Sequence, residues 1–275
     1  MDDPHPDIIW LTRPDGLRLA TLHDPGRHDP ARHDHGRHEH GKPAAKPRPG
    51  ILFLHGLMSD MEGEKAEHLA RHARKQGLEY LRLDLSGHGR SEGAFEDGTI
   101  SQWRDDALLA LDHGIAGPVL LVGSSIGGWI ALLAALARPE RIVGMLLIAP
   151  APDMTERVLE TLPDEAWSAL RTKGVWMRPS IYGPPIPITQ RMLDDGNRLC
   201  LLDKPIPIAC PVRILHGQKD PDVPWEGSLK LADRLESSDV QTILLKQGGH
   251  RLSAPHELAL TTGILDRLLE ALDAG

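Results

Sequence analysis

The chain is poor in cysteine, in cations and in long apolar runs, and each shortage excludes a class of protein. Its only two cysteines, Cys200 and Cys210, flank a proline-rich turn. Two isolated thiols make no disulfide framework and read as free thiols of a reducing compartment. No run of about 18 apolar residues occurs, which excludes a membrane-spanning helix. Cations are in deficit, 31 Lys and Arg against 39 Asp and Glu, a formal net charge of -8. A phosphate-backbone binder needs a broad cationic face to displace counterions, so neither nucleic acid nor an anionic membrane is expected as a partner. The opening MDDPHPDIIW has no cationic n-region, no apolar h-region and no Arg/Ser-rich transit character, and a cytoplasmic location is expected.

What is present suits one large domain, or one domain with an insertion, since 275 residues bury a sizeable core. Ile8–Trp10 and Leu17–Leu22 flank the turn signal RPDG and predict an opening hairpin. From His23 to Gly50 the chain repeats Arg-His-Asp/Glu units, holds six histidines and contains almost nothing apolar. Such a segment buries too little surface to offset its ordering entropy, so a disordered surface insertion is expected over 24–49. Its histidines follow no fixed ligand spacing with intervening structure, and no metal site is assigned to them.

Beyond it, short apolar runs alternate with helical patterns. Strands are expected at Ile51–Leu54, Leu78–Leu83, Val119–Val122, Ile142–Ile148, Val212–Leu215 and Gln241–Leu245. Helices are expected at Glu64–Lys75, Ile100–Gly114, Trp129–Ala137, Glu226–Leu235 and Leu258–Leu272. That alternation implies right-handed βαβ units, hence an α/β fold with a mainly parallel sheet flanked by helices on both faces. The rhythm breaks between Ala149 and Ala209 into a proline-rich stretch with two expected helices, near Thr155–Thr172 and Thr189–Cys200. The expected organisation is therefore a core over 1–150, a small inserted helical cap over 151–208, and the rest of the core over 209–275.

The sharpest local signal is PVLLVGSSIGGWIALLAAL at 118–136. A buried strand runs into a helix with almost no room to turn, and Gly123, Ser125 and Gly127 form Gly-x-Ser-x-Gly at the junction. A serine at such an elbow takes a strained backbone so that its hydroxyl stands clear of the sheet, while a Cβ two residues before or after collides. Ser125 is thus the candidate nucleophile and Ser124 a small buried neighbour. A serine hydroxyl needs a base, and an imidazole serves best when a carboxylate orients it. In this topology the partners follow in the order Ser, acid, His, each after a later strand. In VRILHGQKDPDVP the acid is assigned to Asp220, with Asp222 and Asp153 as alternatives; in ILLKQGGHRLS the base is His250. A tetrahedral oxyanion needs donors, and the backbone N–H groups of Ile126 and Leu57 are assigned to it. His55 reads as structural, and Asp84, His88 and Arg90 as a buttressing loop.

Together these residues resemble an α/β-hydrolase over essentially the whole chain outside His23–Gly50. GSSIGGWIALLAALARPERIV, KGVWMRPSIY and LLDKPIPIACPVRILHGQKDPDVPW are similar, more narrowly, to the palmitoyl-protein thioesterase and acyl-glucuronide esterase family. The resemblance implies a serine hydrolase that cleaves acyl esters or thioesters through an acyl-enzyme, with the family's nucleophile, acid and base on Ser125, Asp220 and His250. It calls for no metal and no organic cofactor. Substrate contacts are expected from Trp176, Met177 and Tyr182 in the cap and from Arg251, with Arg178 and Arg251 suited to a substrate carboxylate. A broad carboxylesterase for small esters and a non-catalytic binding protein on the same scaffold are the other readings.

Overall fold

The computed structural model describes residues 7–26, 48–181 and 183–274. Ten strands, eight α-helices and one short 3-10 helix (Phe95–Asp97) follow one another along these residues. β1 (Ile8–Thr12) and β2 (Arg18–Asp24) form the antiparallel hairpin that the RPDG turn predicts. β3 (Gly50–Leu54), β4 (Tyr80–Leu83), β5 (Val119–Ser124) and β6 (Ile142–Ile148) then alternate with α1 (Glu64–Gln76), α2 (Ile100–His113) and α3 (Ile126–Ala137). β9 (Val212–Gly217), α7 (Glu226–Arg234), β10 (Val240–Leu245) and α8 (Pro255–Ala274) complete the series.

Eight strands form one sheet in the order β1-β2-β4-β3-β5-β6-β9-β10. β4 onward pairs in parallel; β2 is antiparallel to both of its neighbours, so β2 alone runs against the direction of the sheet. Every residue of β5 is buried, as a central strand covered on both faces requires. On one face Ala66, Leu69 and Ala70 of α1 and Leu265, Leu268 and Leu269 of α8 pack on Ile51, Val122 and Leu146. On the other, α2 and α3 bring Trp103, Trp129, Ile130 and Ala134 against Leu52, Leu54 and Leu121. Local chemistry sets the helix ends. Thr99 caps α2 by accepting from the Gln102 N–H at 3.2 Å, and Gly77 closes α1 at φ 66°.

The segment between β6 and β9 departs from expectation in two ways. The first expected helix is two, α4 (Met154–Thr161) and α5 (Asp164–Lys173), because Pro163 holds Leu162 extended at ψ 128°. The segment is also not purely helical. β7 (Val175–Arg178) and β8 (Ile186–Thr189) pair antiparallel ahead of α6 (Gln190–Asn197). Pro187 sits in that ribbon opposite Met177, which only a two-stranded, edge-only pairing tolerates and which hid the strand in the sequence.

The expected insertion over 24–49 begins too early. Asp24 is still in β2, paired with Tyr80 and bridged by Arg74 at 3.0 Å. Residues 27–47 of that expectation, with its metal question, lie outside the described residues. Among the described residues no helix is long and apolar enough to cross a membrane.

Candidate active site

Three loops at the carboxyl edge of the sheet build the site, where the strand order of an open α/β sheet leaves a crevice. The first is the β5–α3 elbow. Ser125 has φ 56° and ψ -120°, a conformation L-residues rarely adopt. Backbone bonds hold it there: its N–H donates to Ile148 O at 2.9 Å, and its carbonyl accepts from Gly128 and Ala151 at 2.9 and 3.0 Å. The glycines supply the space. A Cβ on Gly123 would lie 2.5 Å from Gly127 O, and one on Gly127 would lie 2.2 Å from Leu54 O.

The other two loops follow β9 and β10. Where they meet, a Cβ on Gly217 would fall 2.2 Å from Gly248 O, and the Lys219 N–H donates to that same oxygen at 2.9 Å. This close approach sets Asp220 beside His250. Gly217→Ala is therefore expected to force the loops apart, costing about 2–3 kcal/mol of stability and most of the hydrolytic activity. A thermal melt and an esterase assay check both effects.

At the junction the Ser125 hydroxyl lies 3.0 Å from His250 Nε2, and His250 Nδ1 lies 2.6 Å from Asp220 Oδ2. Asp220 Oδ1 accepts from the N–H groups of Asp222 and Val223 at 2.8 and 2.9 Å. Burial opposes charge on this carboxylate, but the hydrogen bonds from His216 and His250 outweigh it and hold Asp220 well below the usual carboxylate range. Neither alternative acid reaches the imidazole. Both Asp153 oxygens accept from Leu201 and Leu202 N–H at 2.8 Å, and Asp222 receives Arg178 at 3.3 Å.

The β3 loop passes the serine closely, since a Cβ on Gly56 would lie 3.3 Å from Ser125 Cβ. Leu57 follows it and Ile126 opens α3. Among the described residues neither N–H is spent on a hydrogen bond. His55 is buried, donates from Nδ1 to Gly56 O at 2.8 Å and accepts the Leu85 N–H on Nε2 at 3.1 Å. Burial lowers its pKa, so it ties two loops together as a neutral ring. Asp84 accepts the N–H groups of Met61 and Arg90 at 2.7 and 2.8 Å, Arg90 pairs with Glu62 at 2.9 Å, and burial pushes His88 down to about 3.

A cavity of about 460 Å³ opens over Ser125 and His250, with apolar wall from Leu57, Met58, Met154, Ile186 and Val223. Arg251 and Arg178 line it as well. Trp176 and Met177 do not. Strand alternation turns Arg178 into the cavity, sends Trp176 to an adjoining recess of about 250 Å³, and leaves Met177 on the opposite face, 51% exposed. Tyr182 lies outside the described residues. Sequence reasoning missed His216, fully buried on β9, whose Nε2 lies 3.1 Å from Asp220 Oδ2 and whose Nδ1 lies 2.7 Å from Ser228 Oγ. Its spacing of four residues before the acid was the available signal. Lys65 was also missed; its ammonium donates to Arg251 O at 2.5 Å, and burial pushes it down to about 8.

A strained serine at a strand-to-helix elbow, an imidazole after the last strand and a buried carboxylate between them define a class, and residues 51–260 match it: the chain belongs to the alpha/beta hydrolase family. It is a serine hydrolase of the ester- and thioester-cleaving kind. The particular likeness is to the mitochondrial palmitoyl-protein thioesterase ABHD10 of Mus musculus, 41% identical over 226 residues, covering 82% of this chain and 76% of that protein. The Homo sapiens protein of the same name is 39% identical, with 82% and 74% covered. The solved structure of alpha/beta hydrolase domain-containing protein 10 from mouse superposes with a TM-score of 0.83 at 36% identity, covering 97% of this chain and 99% of the other. These relatives are named as mitochondrial, which overturns the cytoplasmic expectation drawn from composition. A targeting address is read by receptors and leaves no trace in the folded core, so composition had no hold on it.

Proposed function

We propose that the protein is a thioesterase for protein-borne acyl chains of the palmitoyl class, acting through a Ser125–His250–Asp220 triad. The observation that carries this reading is the continuous hydrogen-bond chain, 3.0 Å from hydroxyl to imidazole and 2.6 Å from imidazole to carboxylate. Ser125 Oγ attacks the thioester carbonyl while His250 Nε2 takes its proton. Asp220 holds the imidazole with Nδ1 protonated and stabilises its positive charge. The N–H groups of Leu57 and Ile126 receive the oxyanion, the second helped by the amino end of α3. His250 then returns the proton to the leaving thiolate, and water, activated by the same imidazole, clears the acyl-enzyme.

Residues 151–208 act as the cap, closing an apolar cavity of a size that ordinary ligand sites share, roughly 300–1,000 Å³. Support for the acyl class comes from the names of the relatives and from the cavity's apolar walls. The test is a panel of an S-palmitoyl peptide, an acyl glucuronide and p-nitrophenyl acetate, run by initial rates. A kcat/KM for the palmitoyl thioester at least about tenfold above that for acetate is expected. Strong preference for acetate would replace this reading with a small-ester carboxylesterase.

A further inference from the structure

We propose that Arg157 anchors an anion subsite in the Ser125 cavity, which receives substrates that carry a carboxylate or phosphate in addition to the scissile acyl bond. This names a substrate feature for the hydrolase reading above and rests on it. Arg157 lies on α4, in the segment between β6 and β9, and lines both the cavity over Ser125 and the adjoining recess. The residue is half-buried. A cation withdrawn from water is costly unless an anion or acceptor meets it, which is why such groups are found paired.

Arg157 makes no side-chain hydrogen bond or ion pair among the described residues, and the carboxylates whose field reaches it are already engaged. Asp220 holds four N–H donors, from His216, His250, Asp222 and Val223. Asp153 is spent on Leu201 and Leu202, and Asp222 on Arg178. The like charge of Arg178 makes matters worse, and burial followed by that repulsion disfavours the Arg157 cation. The other buried or half-buried arginines solve the problem internally. Arg82 has Met61 O and Glu67, Arg213 has Asp239, and Arg141 has three backbone carbonyls. Arg178, which also lines the cavity, has Asp222. Arg157 faces the cavity with no such partner among the described residues, and its planar fork of donors fits a carboxylate or phosphate edge-on. Nothing in the hydrolytic step requires that charge, so it acts in selection.

Four esters test this, using two matched pairs. 4-Nitrophenyl butyrate against 4-nitrophenyl hemiglutarate places the anion on the acyl part; phenyl butyrate against 4-carboxyphenyl butyrate places it on the leaving group. The readout is the ratio of kcat/KM, anionic over neutral, for the wild type, Arg157→Gln and Arg157→Lys. The wild type is expected to favour one anionic ester, and Arg157→Gln to lower that ratio about tenfold or more, with Arg157→Lys between them. The pair that responds identifies which side of the substrate carries the anion. Because the measure is a ratio within each variant, partial loss of folding cancels. Hydrolysis of the neutral esters with an unchanged ratio in Arg157→Gln overturns the subsite alone. Failure of the wild type to cleave any of the four overturns the hydrolase reading and the subsite with it.

Discussion

Replacing Ser125 with alanine is expected to reduce kcat by about a millionfold, the loss seen when a nucleophile that acts as one unit with its base is removed. Among the described residues no other hydroxyl is hydrogen-bonded to His250 Nε2. Ser124, the preceding residue and the last of β5, lines the same cavity but makes no hydrogen bond to the imidazole. The fold should survive, because alanine meets the same backbone demand at φ 56° that serine already meets, and the bonds to Ile148, Gly128 and Ala151 use only main-chain atoms. A fluorophosphonate probe should label the wild type and not the variant, while the two melt at the same temperature. Retention of more than about 1% of wild-type kcat on a thioester, with a normal melt, would remove Ser125 from the chemistry.

Asp220→Asn is expected to lower kcat by about ten-thousandfold through the tautomer of His250. The carboxylate receives two imidazole nitrogens on Oδ2 and two backbone N–H groups on Oδ1. Asparagine offers one acceptor oxygen for those four donors. With its oxygen kept toward Asp222 and Val223, its NH2 faces His250 Nδ1, which must give up its proton; the proton then sits on Nε2 and points at Ser125. With the amide turned over, two buried backbone N–H groups lose their partner. Either way base catalysis or the loop fails.

Stability responds as well, with a sign that the lowered pKa determines. A carboxyl whose folded pKa lies below its unfolded one adds stability in full above about pH 4. That contribution shrinks as the pH falls toward the folded value. The difference in melting temperature between wild type and Asp220→Asn should therefore narrow as the pH falls below about 4. A gap that failed to narrow in strong acid would contradict an ionised, multiply bonded Asp220.

Much of this site is legible one segment at a time. The elbow is readable because its requirements are local: the strand, the two glycines and the helix are covalent neighbours, and 118–136 carries all of them. The order of acid and base follows from the alternation of strands and helices, which puts every βα loop at one edge of the sheet. The cap was less legible. Its prolines masked a two-stranded ribbon, and the strand pairing that puts Trp176 and Arg178 on one face and Met177 on the other involves residues about ten positions away. Met177 is apolar and near the right place in the chain, yet it stands on the wrong face.

By itself, then, the amino-acid order determined the α/β architecture, the sharp turn at Ser125 and the candidacy of His250, because hydrophobic period and glycine placement act over a few bonds. Only the tertiary structure showed that Asp220, and not Asp222 or Asp153, is hydrogen-bonded to His250, since each is an aspartate in a loop and they differ in what surrounds them. It also decided that His216 shares Asp220 Oδ2 with His250, and that Arg157 faces the cavity without an ion pair among the described residues. Those outcomes depend on which donors and charges converge from distant strands, and convergence in space has no period along a chain.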